Sequence, residues 1–267
     1  MEQAVVFLDI DNTLWDFEQQ IPKSTVQALT ALHANGHKAF INTGRARSFV
    51  QDRSLLELPL DGVICACGTH IEIGDTAGHP KLVHEETLSF ELVTRVIRVL
   101  NEQHMPLIFE GAERHFMNPE DFIEDPYIER VWHSLGERAR HLEEITQKDR
   151  VNKFSAVVTP GADLKEVKKA IGDEFDFLFH NERIFEAIPR GTGKAYGIKK
   201  LCELTGIAHE MTYAIGDSVN DLDMLHYVKH GICMGNGTPD AKAAAEFVTS
   251  DLHDDGILNA LKHYELI

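Results

Sequence analysis

Ala4 to Leu8 is an unbroken apolar run of strand length that stops abruptly at Asp9-Ile10-Asp11-Asn12-Thr13. A strand without polar alternation is buried on both faces, as inner strands of a helix-covered parallel sheet are. The run therefore sets the expected class, and the residues that end it sit where such a sheet exposes its strand ends.

The rhythm downstream agrees. A helix is expected from Pro22, with Ser24 or Thr25 as cap, Val26, Leu29 and Leu32 on one face, and Asn35-Gly36 as its stop. Apolar strands follow at Ala39 to Ile41, entering Asn42-Thr43-Gly44-Arg45, and at Gly62 to Ala66, entering Cys67-Gly68-Thr69. The pattern returns near the other end: a helix from Lys194 to Thr205, a strand from Tyr213 to Ile215 and then Gly216-Asp217-Ser218-Val219-Asn220-Asp221. Between these halves the texture changes to helix, strand, strand: Phe90 to Gln103 with Pro106 to Phe109 and Arg114 to Met117, then Asp163 to Ile171 with Asp176 to Phe179 and Ile184 to Ala187. The expectation is an α/β fold: a Rossmann-like, doubly wound parallel-sheet core of residues 1–82 and 190–267, interrupted by an inserted α+β cap domain of residues 83–189.

Composition narrows the function classes. The chain has 267 residues, 43% hydrophobic and 26% charged, with a formal charge of −17. No apolar run approaches the roughly 20 residues that span a bilayer, and the start of the sequence carries no signal-peptide pattern. A cytoplasmic enzyme without membrane or nucleic-acid partners is expected, since no basic stripe exists to meet phosphate backbones. Cys65, Cys67, Cys202 and Cys233 lack a second pair at metal-ligand spacing and read as reduced thiols. Oligomeric state has no signature in the sequence.

Ligands of open α/β sheets bind beyond the carboxyl ends of the strands. Strand one delivers Asp9 and Asp11 there, strand two Thr43, and the strand from Tyr213 delivers Asp217, Asn220 and Asp221. Carboxylates converging on one crevice repel, by about 4 kcal/mol for a pair 4 Å apart at an effective dielectric of 20. Such a cluster calls for a cation, and oxygen-only ligation points to Mg²⁺. A carboxylate nucleophile, a hard cation and an amine together suggest phosphoryl transfer. In that reading Asp9 attacks phosphorus to form an aspartyl-phosphate. Asp11 protonates the leaving oxygen and later deprotonates water, Thr43 donates a hydroxyl, and Lys194 places positive charge against the transferring group. Gly191-Thr192-Gly193-Lys194 is no P-loop, because Ile188 occupies the position of its first glycine and Ala195 that of its Ser/Thr.

Asp9-Ile10-Asp11-Asn12-Thr13, Thr43-Gly44-Arg45, Lys194 opening a helix, and Gly216-Asp217-Ser218-Val219-Asn220-Asp221 occur in the order of the haloacid dehalogenase superfamily. Together the motifs resemble its Cof-type phosphatases with a large inserted C2-type cap. Met234-Gly235-Asn236 and Asp254-Asp255-Gly256 extend the likeness through the second core half. The resemblance implies that Asp9 and Asp217 bind Mg²⁺ through their side chains and Asp11 through its backbone carbonyl. It implies that Asp221 stands behind these ligands, and that Asn220 and the Ile10 and Gly44 amides contact phosphate. The family often has glycine where Asn12 stands, and usually asparagine where Cys67 stands.

The function expected is a Mg²⁺-dependent phosphatase acting on small phosphorylated metabolites, sugar phosphates foremost. A phosphomutase shares the aspartyl-phosphate, and a catalytically idle phosphate-binding or regulatory module shares the fold; the latter would be expected to lack Asp9, Asp11 or Lys194. Asp11 argues against a dehalogenase, which needs no acid there, and the inserted domain argues against a receiver domain. Arg45 is a candidate substrate contact, and Trp15, Arg114, Asn152, Lys153 and Arg183 are candidate rim or cap contacts.

Overall fold

The computed structural model describes residues 2–122 and 126–267. In chain order its strands are β1 (Val5–Leu8), β2 (Lys38–Asn42), β3 (Gly62–Cys65), β4 (His70–Ile73), β5 (Lys81–Glu85), β6 (Leu107–Glu110) and β7 (His115–Phe116). They continue as β8 (Ala139–Arg140), β9 (Lys153–Val157), β10 (Phe175–Phe179), β11 (Ile184–Pro189), β12 (Thr212–Gly216), β13 (His230–Cys233) and β14 (Phe247–Val248). Two compact units contain them: residues 1–45, 50–85 and 192–267, and residues 46–49 with 86–191.

The first unit is a doubly wound α/β layer, as the apolar strands foretold. Its sheet has the order β14-β13-β12-β1-β2-β3-β4-β5, parallel from β14 to β3, with β4 and β5 returning antiparallel. Alternate residues of β1 enter opposite cores, because successive strand side chains point to opposite faces. Val6 and Leu8 pack with Leu29 and Leu32 of the helix Lys23–Ala34 and with Ile257 and Leu261 of the helix Gly256–His263. Val5 and Phe7 pack with Ile198 and Leu201 of the helix Lys194–Thr205 and with Met224 and Leu225 of the helix Leu222–Tyr227. Each such side chain contributes about 1.5–3 kcal/mol on burial, which is why polar residues appear only where β1 ends. Ser24 and Thr25 lie inside the first helical turn instead of capping it; Pro22 is the N-cap and makes no side-chain bond.

The second unit is a sheet of order β10-β11-β9-β6-β7-β8, antiparallel except for the β7–β8 pair. One face carries Phe109, Phe154, Phe175 and Phe185, which pack against Val96 and Leu100 of the helix Phe90–Glu102 and Val167 and Ile171 of the helix Leu164–Ile171. Residues 46–49, which follow Arg45, cluster with this unit. The Ser48 hydroxyl donates to the Gly111 carbonyl at 2.5 Å and lies 2.5 Å from His115 Nε2, while Arg138 donates to the Ser48 carbonyl.

Candidate active site

The hydrogen bond from the Asp9 N–H to the Ile215 carbonyl, 3.0 Å, carries the β1–β12 pairing one residue past the strand. The chain then folds sharply: the N–H groups of Thr13, Leu14 and Trp15 all converge on the Ile10 carbonyl. Asn12 makes the turn with φ +55°, a left-handed conformation that glycine and asparagine tolerate best. Its carbonyl accepts from Asn236 Nδ2 at 2.8 Å, so the Met234-Gly235-Asn236 segment secures the turn after Asp9.

Asp9 is buried, and its Oδ1 meets the ammonium of the equally buried Lys194 at 2.7 Å. Lys194 also pairs with Asp221, which has no exposed surface. The other Asp221 oxygen accepts the N–H groups of Asp217 and Ser218, at 2.8 and 3.0 Å. Asp221 thus fixes both the amine and the Asp217 turn. Lys194 stands first in its helix because the Cys67 carbonyl accepts the Gly193 N–H at 2.9 Å and Asp223 accepts the Ala195 N–H at 2.9 Å.

Asp9, Asp217 and Asp221 each offer a carboxylate oxygen, all within 4.8 Å of one another. Burial pushes the Asp9 carboxyl up to about 7, the nearby Asp221 charge adding to it and Lys194 opposing it. Burial likewise pushes Asp217 up to about 7, reinforced by Asp221. Burial alone would lower the Lys194 pKa, but Asp221 and Asp9 outweigh it and hold the ammonium above its ordinary value. One amine thus faces three carboxylates, and oxygen donors without sulfur or nitrogen suit a hard cation such as Mg²⁺. The cluster can hold a metal ion.

The Asp11 carboxylate stands apart from that cluster. Arg45 donates to both its oxygens, Nε to Oδ2 and Nη2 to Oδ1, each at 2.8 Å, and Trp15 Nε1 donates to Oδ1 at 3.1 Å. Burial would raise its pKa, but the Arg45 bonds and charge prevail and hold the carboxyl below its usual value. Thr43 is buried, its Oγ1 accepting the Arg45 N–H at 3.1 Å. Ile10 is buried and Gly44 half-buried, whereas Asn220 is exposed and accepts from the Ser218 hydroxyl at 2.7 Å.

Of the remaining candidates, Asn152 and Lys153 lie inside the second unit. Lys153 Nζ pairs with Glu186 at 3.0 Å and Glu110 at 3.3 Å, and Asn152 Nδ2 donates to the Glu86 carbonyl. Arg114 pairs with Asp149, and Arg183 donates its N–H to Asn181. Sequence reasoning missed Asp223, whose only trace was its place two residues after Asp221, and the anchoring of Lys194 through Cys67.

A family model described as haloacid dehalogenase-like hydrolase matches residues 6–261. The chain belongs to the haloacid dehalogenase-like hydrolases. Within that family it is 28% identical over 267 residues to the protein named "Putative phosphatase YkrA" of Bacillus subtilis (strain 168), with all of both chains covered. Among solved structures it is similar to a hypothetical protein of Geobacillus kaustophilus HTA426 (28% identity, TM-score 0.79, 99% of this chain and 100% of that one). It is also similar to the structure of the HAD subclass IIB sugar phosphatase BT4131 (27% identity, TM-score 0.77, 99% and 100%). As a haloacid dehalogenase-like hydrolase, the chain carries an aspartate cluster consistent with phosphoaspartate chemistry. No helix among the described residues is long and apolar enough to cross a membrane.

Proposed function

We propose that this hydrolase is a cytoplasmic, Mg²⁺-dependent, Cof-type phosphatase that hydrolyses small phosphorylated metabolites, sugar phosphates foremost, through an aspartyl-phosphate on Asp9. The observation that carries the reading is the buried Asp9–Lys194–Asp221 chain beside Asp217, with a second carboxylate, Asp11, two residues from the nucleophile and outside the cluster. The two aspartates occupy different surroundings, Asp9 buried against Lys194 and Asp11 held by Arg45 and Trp15. The likeness to the sugar phosphatase BT4131 supports the substrate class, and four free thiols support a reducing compartment.

In this reading Asp9 Oδ attacks phosphorus, the bond to the leaving oxygen breaks, and Asp11 gives that oxygen a proton. Asp11 then takes a proton from the water that attacks the aspartyl-phosphate, which frees phosphate and restores Asp9. Lys194, the Thr43 hydroxyl, Asn220 and the Ile10 and Gly44 amides carry the charge of the transferring group. Asp9, Asp217 and the Asp11 carbonyl would hold Mg²⁺, with Asp221 orienting them. When bound, the ion supplies charge neutralisation between the attacking carboxylate and the phosphoryl oxygens. Arg45 contacts the substrate, and residues 83–189 form the inserted cap domain.

The test is a panel of sugar phosphates assayed with Mg²⁺ in ¹⁸O-water. The expected result is ¹⁸O-labelled inorganic phosphate, abolished by EDTA, restored by Mg²⁺ and lowered by several orders of magnitude in Asp9→Asn. Full turnover in EDTA, or a tenth of wild-type activity in Asp9→Asn, would sink the mechanism. Isomerised sugar phosphate without phosphate release would make the chain a mutase.

A further inference from the structure

The Asp11 carboxylate is held from two directions by groups of unequal freedom. Arg45 spans both its oxygens as a fork, but about a third of the arginine side chain is solvent-exposed. Trp15 is 2% exposed and belongs to the cluster that includes Leu14 and Leu29. Its backbone is fixed as well, because its N–H donates to the Ile10 carbonyl and it forms a bridge with Asp11. The indole cannot swing without disturbing that core, whereas the partly exposed guanidinium is not enclosed by it. The guanidinium also lies over the Trp15 ring, 5.5 Å from its centroid, a contact that survives a change in its hydrogen bonds.

A general acid must lay one carboxylate oxygen against the ester's bridging oxygen. A fork on both oxygens prevents this, so Arg45 Nε has to come off Oδ2. The indole bond to Oδ1 has no such conflict. An aspartate carboxylate rotates through a broad torsional well, and a hydrogen bond from a buried, immobile donor is what selects one orientation. We propose that Trp15 is a positioning residue for Asp11: its indole N–H pins Oδ1 so that Oδ2 faces the leaving group, while its ring keeps Arg45 alongside when the fork opens. This rests on the reading of Asp11 as the acid–base group. Oδ2, protonated from solvent once the fork has opened, delivers that proton to the bridging oxygen as the P–O bond breaks, and the same oxygen later takes a proton from water.

Two variants separate positioning from packing. Trp15→Phe keeps an aromatic ring for the core and for Arg45 but lacks the N–H. Trp15→His packs less well, yet its Nε2 lies the same number of bonds from Cβ as the indole Nε1. Single-turnover and steady-state rates are measured with glucose 6-phosphate, a poor leaving group, and with p-nitrophenyl phosphate, a good one. Trp15→Phe should lower kcat for the sugar ester by about 10- to 100-fold, the scale of one hydrogen bond to a charged group. The activated ester should change less than about twofold, because it needs little protonation, and KM should hold for both. Trp15→His should recover a large part of the sugar-ester rate relative to p-nitrophenyl phosphate, although its melting temperature falls further. Equal slowing of both esters in Trp15→Phe, or a rate ratio in Trp15→His no better than in Trp15→Phe, would overturn the role of Trp15 and leave the phosphatase reading intact. A wild-type protein inert toward both esters with Mg²⁺ would remove that reading and this one together.

Discussion

Two residues beside the site stand where the family pattern prefers others. Asn12 and Cys67 both have positive φ, 55° and 54°. Asparagine suits that region, so the departure at Asn12 costs little; cysteine suits it less, and here it is tolerated beside the Cys67 carbonyl that holds the Gly193 N–H. His115 shows the opposite case, a residue with no sequence signal that the interior controls. It has no exposed surface, contacts Ser48 and the Phe49 ring, and its Nδ1 has no hydrogen-bond partner among the described residues. Burial pushes its pKa down to about 3, with Lys153 and Arg138 adding to the effect. Between about pH 6.5 and that value the unfolded chain binds a proton that the folded chain refuses, so stability falls as pH falls through this window. The slope should approach about 1.4 kcal/mol per pH unit. Urea midpoints of wild type and His115→Gln should therefore diverge below pH 6.5, the variant losing less; parallel curves would mean that His115 is not held neutral.

Among elements, the helix that presents Lys194 is closely seated. Gly197 on that helix packs directly on Gly68 of the loop after β3: a Cβ at Gly197 would lie 2.4 Å from Ile64 Cγ2 and 2.8 Å from Gly68 Cα. Backbone cannot yield there as a flexible side chain would. Gly197→Ala should cost about 1–3 kcal/mol from overpacking, offset in part by about 1 kcal/mol of helix propensity, and should displace the helix start. The expected outcome is a melting temperature a few degrees lower with kcat reduced at least about tenfold; unchanged kcat would show that Lys194 does not depend on this seat. Sequence reading passed over β4, β5, β8, β9 and β14, and of these β9 is central to the second sheet. It alternates Lys153, Phe154, Ser155 and Ala156, and a lysine on a strand reads as solvent-facing. Glu110 and Glu186 on the flanking strands make its burial possible, and strand neighbours are not written in local sequence.

For the whole molecule, a net charge of −17 sets a general field against an anionic substrate. Salt screens that field, the Debye length shrinking from about 30 Å at 0.01 M to about 8 Å at 0.15 M. With Mg²⁺ saturating, KM for a sugar phosphate should fall roughly 2- to 5-fold as KCl rises through that range; a rise in KM would mean that local attraction by Lys194 and Arg45 outweighs the global charge. The sequence by itself determined the fold class and the chemical type of the site. Strand burial is a local period of apolar residues, and Asp9, Thr43, Lys194 and Asp217 each follow or precede an element whose end such periods mark. Tertiary structure decided the pairings. Thr13 reaches Asp217 across 204 positions and Arg45 reaches Asp11 across 34. Which carboxylate takes the ammonium and which takes the guanidinium depends on sheet order and side-chain packing, and neither has a local signature. For the same reason Trp15, which the sequence offers only as one candidate among rim or cap contacts, is found buried with its N–H on Asp11.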